Sequence, residues 1–330
     1  MVTIPVFDPT GAACDPALPT LSLALDPDVA ELELRRLPAL AAARRLSSIR
    51  VVRHKPGRRC LVAYALGGFG TVYGKTQRRR YGKSGHRLLA ALRAAGFDGA
   101  RDGIAVPEPL GVVGSFRMWL QREARGVGAG DLHDDPAGQR LAPRIAEAAH
   151  KLHRAGVEPD RRHGVADELR ILEECLGLVA AAQPRLAPRI ERLLAACGRA
   201  AGRLPAARHC GIHRDFYPDQ VLVDGDRLTI VDFDLFCLGD PALDVGNYVG
   251  HVTEHALRTR GDAEAFAPFE HELEERFGEL AGPAARERVP TWTALTLARH
   301  VYLSTRFDDR CPMTEPLLEL AEERLRKVAA

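Results

Sequence analysis

Residues 211–226 read GIHRDFYPDQVLVDGD, and this stretch is the most informative part of the chain. It places a carboxylate, Asp215, five residues before a side-chain amide, Gln220, and then enters the apolar run VLV. The sequence DGD that follows is typical of a tight turn between two strands, and Asp232 stands just after the second apolar run. A hairpin with this spacing would bring the three oxygen-bearing side chains together.

Carboxylate and amide oxygens in this pattern suit phosphoryl transfer to a hydroxyl. Such a transfer needs Mg²⁺, which prefers hard oxygen ligands, and a carboxylate that orients the acceptor hydroxyl and takes its proton. We therefore expect Asp215 to be the catalytic base, and Gln220 and Asp232 to hold Mg²⁺ at the phosphates of ATP. The alternative, solvated loop acids around a chance His-x-Asp, is weaker because several spaced elements agree.

The same residues resemble a known enzyme family. HRDFYPDQ matches the kinase catalytic loop His-Arg-Asp-x-x-x-x-Asn position by position, with Gln220 where the asparagine stands. The longer segment HRDFYPDQVLVDGDRLTIVDFDLFCLGDPALDVGN resembles the aminoglycoside phosphotransferase and choline kinase family, and the similarity extends over about residues 49–305. It implies an α+β, two-lobed protein-kinase-like fold, with a small antiparallel sheet lobe and a larger, mainly helical lobe.

Further residues of this segment are expected to support the loop. The position of His213 resembles that of a structural residue, so a hydrogen-bonding role is favoured over direct catalysis. Asp244 is expected to accept backbone N–H bonds from the catalytic loop rather than to bind metal. Asp240 is a candidate N-cap for a helix that begins near Pro241, whereas Asp234 is left open between a second Mg²⁺ and solvent.

The rest of the chain predicts a sheet-and-helix region followed by a helical region. Three β-like runs, IRVVRH, RCLVAYAL and TVYGKT, are separated by the turn sequences KPGR and GGFG, and a helix follows that closes on Gly96. A helical segment with Asp26 or Asp28 as N-cap precedes them. We expect residues 1–125 to form a nucleotide-binding lobe with a leading helical extension, and residues 126–330 a helical lobe for catalysis and acceptor binding.

The nucleotide contacts are assigned by strand order. A kinase phosphate loop joins the first two strands, but only five positions separate Gly70 in GGFG from Lys75, so GGFG belongs to the next turn. HKPGRR then occupies the phosphate-loop position, with Arg58 as a candidate phosphate contact and Lys75 on the third strand. Adenine is expected against LQREARG, which resembles the hinge, through the backbone near Arg122 and Ala124.

One departure from the kinase pattern supports a rival interpretation. Residues 76–97 contain no Asp or Glu, although a kinase usually pairs its lysine with a glutamate on the helix that follows. This gap leaves the partner of Lys75 undefined. Together with Gln220 in place of asparagine, it motivates the alternative of a nucleotide-binding pseudokinase that acts through a protein partner.

A small-molecule acceptor is favoured over a protein. Too few residues separate Asp232 from the helix near Pro241 to form the long activation segment of protein kinases, and Tyr217 replaces the lysine of their HRDLKPEN sequence. The expected activity is that of an ATP-dependent phosphotransferase acting on an alcohol group of an aminoglycoside-, choline- or sugar-like compound. Acids between residues 254 and 279 could suit a cationic acceptor, but an acid-rich surface helix is the simpler interpretation.

Charge and hydropathy narrow the class of partner. The 330 residues carry 46 basic and 44 acidic side chains, a net charge of +2, which argues against nucleic-acid binding and against a polybasic membrane anchor. The amino terminus lacks the pattern of a signal peptide, and no apolar run approaches the roughly 18 residues of a spanning helix. We expect a cytoplasmic protein.

Overall fold

The computed structural model describes residues 4–43, 45–78, 83–132, 135, 138 and 140–329. The chain divides into two compact units. The first comprises Met1–Gly126 with Asp224–Val231, and the second comprises Val127–Val223 with Asp232–Ala330. The sequence-based division assigned the whole segment after residue 125 to the second lobe, and the functions assigned to the two lobes stay predictions.

The first unit contains a six-stranded sheet. Its strands are β1 (Val6–Phe7), β2 (Leu46–Lys55), β3 (Arg59–Leu66), β4 (Gly70–Gln77), β6 (Pro109–Val113) and β7 (Met118–Arg122), in the spatial order β1-β2-β3-β4-β7-β6. Strand β1 pairs parallel to β2, and the other neighbours are antiparallel. The predicted meander is therefore present. The short strand β5 (Ile104–Ala105) pairs in parallel with β11 (Arg227–Ile230).

The described residues of this unit form the helices α1 (Leu21–Ala24), α2 (Pro27–Arg35) and α3 (Lys83–Ala94). Asp26 is the N-cap of α2, because its carboxylate accepts hydrogen bonds from the backbone N–H groups of Asp28 and Val29. The sequence over residues 25–46 predicts one helical segment, but the helix ends at Arg35 because Pro38 begins a separate 3₁₀ turn. This leading segment packs into the core of the sheet, where the hydroxyl of Tyr64 donates to the carbonyl of Ala24 at 3.0 Å.

The second unit is mainly helical. Its helices are α4 (Ala142–His153), α5 (Val165–Ala182), α6 (Ala187–Gly202), α7 (Pro241–Arg260), α8 (Ala267–Ala281), α9 (Pro283–Arg286), α10 (Val289–Ser304) and α11 (Thr314–Ala329). Helix α10 is buried along most of its length and packs against α7. Gly246 allows that close approach, because a Cβ atom there would lie 2.5 Å from the Cβ of Trp292.

Two pairs of short strands complete the second unit. Strand β8 (Val127–Gly128) pairs antiparallel with β10 (Val221–Asp224), and β9 (Cys210–Ile212) pairs antiparallel with β12 (Cys237–Gly239). The β9–β12 pair carries the segments that the sequence singled out. Among the described residues, no helix is both long enough and apolar enough to span a membrane.

Candidate active site

The β9–β12 pair brings two of the predicted site segments together. Ile212 at the end of β9 lies opposite Cys237 at the start of β12. The loop that carries Asp215 leaves β9 at this end, and the segment that carries Asp232 enters β12 at the same end. The two segments touch, because the rings of His213 and Phe233 have centroids 4.8 Å apart.

Asp244 fixes the backbone just before Asp215. Its carboxylate is fully buried and accepts hydrogen bonds from the backbone N–H of His213 at 2.8 Å and of Arg214 at 2.7 Å. Arg214 has a φ of 68°, in the left-handed region that side chains other than glycine rarely adopt. These two bonds are the ones that the predicted support role of Asp244 requires. The roles of His213 and Asp244 in catalysis stay predictions.

Asn247 is a second support of the loop, and the sequence reasoning gave it no role. Its side-chain amide nitrogen donates to the carbonyl of Phe216 at 2.9 Å, and its amide oxygen accepts from Arg299 at 2.6 Å. Arg299 also donates to Glu168 at 3.1 Å. Burial alone would raise the pKa of Glu168, but the charge of Arg299 holds that pKa below its usual value. The available signal was helical spacing, since Asn247 lies one turn after Asp244.

Tyr217 lies close enough to the predicted base and metal ligands for their charges to affect its phenol. Burial raises the pKa of its phenol, and the negative charges of Asp215 and Asp232 raise it further. The phenol also hydrogen-bonds the side chain of Gln220. Its ring stacks on His251, with centroids 4.5 Å apart and planes 19° apart. The sequence had marked Tyr217 only as a replacement for a kinase lysine.

The stacked His251 is part of a neutral aromatic cluster. His251 meets His300 edge to face, with ring centroids 4.4 Å apart. Burial lowers the pKa of His251 well below its usual value, and burial with the charge of Arg299 lowers the pKa of His300 to about 3. Both imidazoles are therefore uncharged at neutral pH. They support Tyr217 by packing rather than by charge.

The donor set at this site fits Mg²⁺. Gln220 ends a 3₁₀ turn, Pro218–Gln220, and its side chain is buried, whereas Asp232 lies in the left-handed region with a φ of 61°. Both offer hard oxygen atoms of the kind that Mg²⁺ prefers. Across the described part of the chain, no group of three or more His, Cys, Asp or Glu side chains could hold a metal ion. Gln220 and Asp232 as Mg²⁺ ligands stay predictions.

The predicted phosphate contacts of the first unit lie on its meander. Lys75 is half-buried on β4, opposite Leu61 of β3 and Trp119 of β7. Arg58 is exposed in the turn between β2 and β3, where Gly57 has a φ of 69°, as the third position of a type II turn requires. The sequence GGFG lies in the next turn, between β3 and β4, as the strand count predicts.

The turn that contains Arg58 is tied to the leading segment of the chain. Asp15 is buried, and its carboxylate accepts a hydrogen bond from the backbone N–H of Gly57 at 2.8 Å. The same oxygen lies 2.8 Å from the Nε2 atom of His54. The bond from Gly57 is the main reason why the pKa of Asp15 is lowered. The leading extension thus holds the turn in the predicted phosphate-loop position.

The predicted adenine contacts are only partly available in the backbone. The N–H of Arg122 already donates to the carbonyl of Glu108 at 2.8 Å, so this N–H is not available to adenine. The side chain of Arg122 binds the carboxylate of Glu108 at 2.6 Å and lies over the ring of Phe69 at 3.9 Å. Ala124 is half-buried beyond the end of β7.

The acid-rich region between residues 254 and 279 does not form a free acidic patch. Four of its carboxylates lie within salt-bridge distance of arginine side chains: Glu254 with Arg258, Glu264 with Arg324, Glu275 with Arg286 and Glu279 with Arg276. Each of these charges is at least partly balanced. The region is better explained as a paired helix surface than as a site for a cationic acceptor.

The fold is that of the protein-kinase-like phosphotransferases. The chain belongs to the APH phosphotransferase enzyme family, whose model matches residues 83–288. The resemblance seen in the sequence is therefore confirmed. No curated protein sequence matches the chain.

Solved structures agree on the fold. A choline/ethanolamine kinase family protein from Mesorhizobium loti is 17% identical, with 90% of this chain and 94% of that chain covered and a TM-score of 0.57. A thermostable mutant of aminoglycoside phosphotransferase APH(4)-Ia, in ternary complex with AMP-PNP and hygromycin B, is 18% identical, with coverages of 90% and 97% and a TM-score of 0.59. A glucosamine kinase is 15% identical, with coverages of 81% and 75% and a TM-score of 0.55. The predicted α+β, protein-kinase-like fold class is confirmed.

Proposed function

We propose that this phosphotransferase is a Mg²⁺-dependent small-molecule kinase that transfers the γ-phosphoryl group of ATP to a hydroxyl. The observation that carries the proposal is the pairing of β9 with β12. The loop with Asp215 and Gln220 and the segment with Asp232 both extend from the same end of this strand pair. Enzymes catalyse phosphoryl transfer mainly by positioning the reactants and stabilising charge, which requires a base and oxygen ligands for Mg²⁺ in one place.

Each residue has one role in the proposed reaction. Asp215 orients the acceptor hydroxyl and takes its proton while the new O–P bond forms and the bond to the β-phosphate oxygen breaks, so that ADP leaves. Gln220 and Asp232 would hold Mg²⁺, which when bound neutralises charge on the phosphate oxygens. Lys75 orients the phosphates, Arg58 assists it, and the backbone near residues 122–124 contacts adenine.

The acceptor is proposed as a small aminoglycoside-, choline- or sugar-like alcohol. The similar structures include a choline/ethanolamine kinase family protein, a glucosamine kinase and an aminoglycoside phosphotransferase in complex with hygromycin B. Choline, ethanolamine, glucosamine and hygromycin B all carry both a hydroxyl group and a nitrogen group. The short segment between Asp232 and α7 also supports a small acceptor, because it is too short to form the surface on which a protein kinase binds its peptide substrate. Nucleic acid is not an expected partner.

The proposed place of action is the cytoplasm, where ATP is available. All seven cysteines are free thiols in the structure, as suits a reducing compartment. Fractionation of the producing cells, with this chain detected by antibody, tests the assignment. Recovery of the protein in the periplasmic or extracellular fraction would contradict it.

The central test is ATP turnover with a panel of amino alcohols, amino sugars and aminoglycosides. We expect Asp215→Asn to lose most transfer activity, by roughly 10²- to 10⁴-fold, while ATP affinity changes only a few fold, because the base acts on the acceptor. Asp226→Asn is the matched control, since Asp226 is an exposed turn acid. If the parent protein binds Mg-ATP but turns over none of the panel, the pseudokinase alternative gains support.

A further inference from the structure

A cavity of the second unit lies at the other end of the β9–β12 pair from the catalytic loop. Cys210 and Gly211 of β9 and Leu238 of β12 are among its lining residues, whereas the loop with Asp215 leaves after Ile212. Its volume is about 910 Å³. That size is in the range of roughly 300–1,000 Å³ usual for small-molecule sites. Nothing in the proposed kinase reaction uses this cavity.

The lining of the cavity is rich in basic side chains. Helix α4 contributes His150 and His153, its C-cap residue is Arg154, and the segment before β9 contributes Arg208 and His209. These groups are donors that suit the oxygen atoms of an anion, and guanidinium groups in particular bind phosphate and carboxylate in a bidentate manner.

The acids of the lining do not cancel this charge. Asp240 is already engaged, because its carboxylate accepts from Arg288 Nε at 3.0 Å and from the indole N–H of Trp292 at 2.5 Å. Glu158 therefore remains as the one acidic lining residue outside that pair, opposed by Arg154 and Arg208. The cavity carries net positive charge even with its imidazoles neutral.

His153 gives a second and independent sign of a missing ligand. The residue is only 8% exposed, and its Nε2 atom lies 2.9 Å from Asp244 Oδ2. Its Nδ1 atom is buried and has no hydrogen-bond partner among the described residues. A buried polar nitrogen without a partner is costly, and in native proteins such atoms are usually satisfied by protein, water or ligand. Because Asp244 engages Nε2, Nδ1 is the ring atom left for a ligand.

We propose that this cavity binds a small molecule with a phosphate or carboxylate group, and that His153 relays its binding to the catalytic loop. Arg154 and Arg208 supply the opposite charge, and with both ring nitrogens protonated His153 donates from Nδ1 to the oxyanion while Nε2 stays on Asp244. The relay consists of two hydrogen bonds. Asp244 Oδ2, which His153 contacts, is the same atom that accepts from the backbone N–H of His213.

The binding test uses the full chain with inorganic phosphate and, in a separate arm, citrate. Titration calorimetry is done with saturating Mg-AMP-PNP, so that the nucleotide phosphate positions are covered. We expect at least one oxyanion to bind, and the double variant Arg154→Ala/Arg208→Ala to weaken that binding roughly tenfold or more, as loss of charge-assisted hydrogen bonds implies. Arg192→Ala, an exposed arginine on α6 outside the cavity, should bind as the parent does.

These outcomes decide the site. Both arginines of the double variant are exposed, so the variant is expected to fold. Absence of binding for both oxyanions overturns the proposal, and so does equal affinity of the parent and the double variant. Binding of phosphate but not citrate, or the reverse, identifies which oxyanion group the cavity prefers.

The relay is tested by hydrogen exchange rather than by activity. The backbone N–H groups of His213 and Arg214 bond to Asp244, so an oxyanion that fixes His153 should slow their exchange in the peptide covering residues 211–217. The double variant should show no such change at the same oxyanion concentration. If the parent binds the oxyanion and exchange in residues 211–217 is unaffected, the relay through His153 is wrong although the site stands.

Discussion

At the scale of single residues, Gln220 is the most unusual feature of the candidate site. It stands where kinases of this type carry asparagine, and its arm is one methylene longer. The structure accommodates the longer arm in a 3₁₀ turn that buries the side chain and brings it against the phenol of Tyr217. Mg²⁺ tolerates little error around its octahedral distance of about 2.1 Å. We therefore expect the 3₁₀ turn and Tyr217 to be positioned for a glutamine side chain rather than for the shorter asparagine.

We predict that Gln220→Ala lowers the rate of ATP turnover and raises the Mg²⁺ concentration needed for half-maximal activity. Each change should be roughly 10- to 100-fold, the range usual when a residue that supports a metal site is mutated. Gln220→Asn should not restore parental values, because the shorter amide cannot reach both the metal and Tyr217. A Mg²⁺ titration of ATP turnover measures both effects. Gln183→Ala, at the carboxyl end of α5, is the control. A parental Mg²⁺ requirement in Gln220→Ala would make the amide structural only.

At the scale of elements, helix α7 organises the site through a buried polar stripe. Asp240, Asp244, Asn247 and His251 recur at intervals of four, three and four residues, and so lie on one face of the helix. Asp240 binds α10, Asp244 and Asn247 hold the catalytic loop, and His251 stacks on Tyr217. One helix thus positions the loop at successive turns.

The sequence predicted the elements better than it predicted this stripe. Turn chemistry and β-branched runs identified the meander, because that signal is local, and the His-Arg-Asp pattern singled out the candidate site segments for the same reason. Polar residues at helical spacing usually indicate a solvated face, yet here Asp240, Asp244 and Asn247 are buried and His251 is half-buried. Their partners are distant in sequence: Asp244 meets His153 from 91 residues away, and Asn247 meets Phe216 from 31 residues away. Local patterns carry no information about such pairs.

The packing of α7 on α8 yields a pH prediction. Thr253 donates to the buried carboxylate of Glu270 at 2.8 Å, and burial raises the pKa of Glu270 to about 7. The folded protein then binds a proton that the unfolded chain releases at lower pH, so stability falls as pH rises from about 4.5 through 7. This difference in the pKa of Glu270 between the folded and unfolded chain lowers the free energy of unfolding by at most about 3 kcal/mol at high pH.

We expect Glu270→Gln to remove most of this loss, because glutamine keeps the shape and cannot ionise. Urea unfolding at pH 5 and pH 8 measures the difference, and the variant should gain stability relative to the parent at pH 8 only. Glu272→Gln, an exposed acid on the same helix, is the matched control and should leave the pH dependence unchanged. An identical pH dependence in Glu270→Gln and the parent would show that Glu270 titrates normally.

At the scale of the whole molecule, the leading segment is the largest difference from what the sequence suggested. A helical extension was expected ahead of the nucleotide lobe, but Leu21 and Leu34 are buried in the core of the first unit, and Asp15 holds the turn at Gly57. Short-range patterns in these helices carry no information about which part of the chain they pack against. The segment is thus part of the unit that carries the predicted phosphate contacts.

The last prediction treats nucleotide binding as a property of the folded molecule. A ligand that binds only the folded state stabilises it, by roughly 2.7 kcal/mol at a concentration 100-fold above its dissociation constant. We expect Mg-AMP-PNP to raise the unfolding temperature of the parent, and Asp232→Ala to lose most of that rise because a direct carboxylate ligand of the metal is removed. The measurement is thermal unfolding with and without the nucleotide, at several Mg²⁺ concentrations.

The backbone at Asp232 requires a second variant. With a φ of 61°, alanine there adds strain of roughly 1–2 kcal/mol, whereas asparagine tolerates this region and removes only the charge. Asp232→Asn should therefore unfold near the parent temperature without nucleotide and still show a reduced rise with it. Asp226→Asn, in the exposed turn, should keep the full rise. If both Asp232 variants keep the parental nucleotide-induced rise, Asp232 does not hold the metal, because stabilisation by the bound nucleotide would then be independent of its carboxylate.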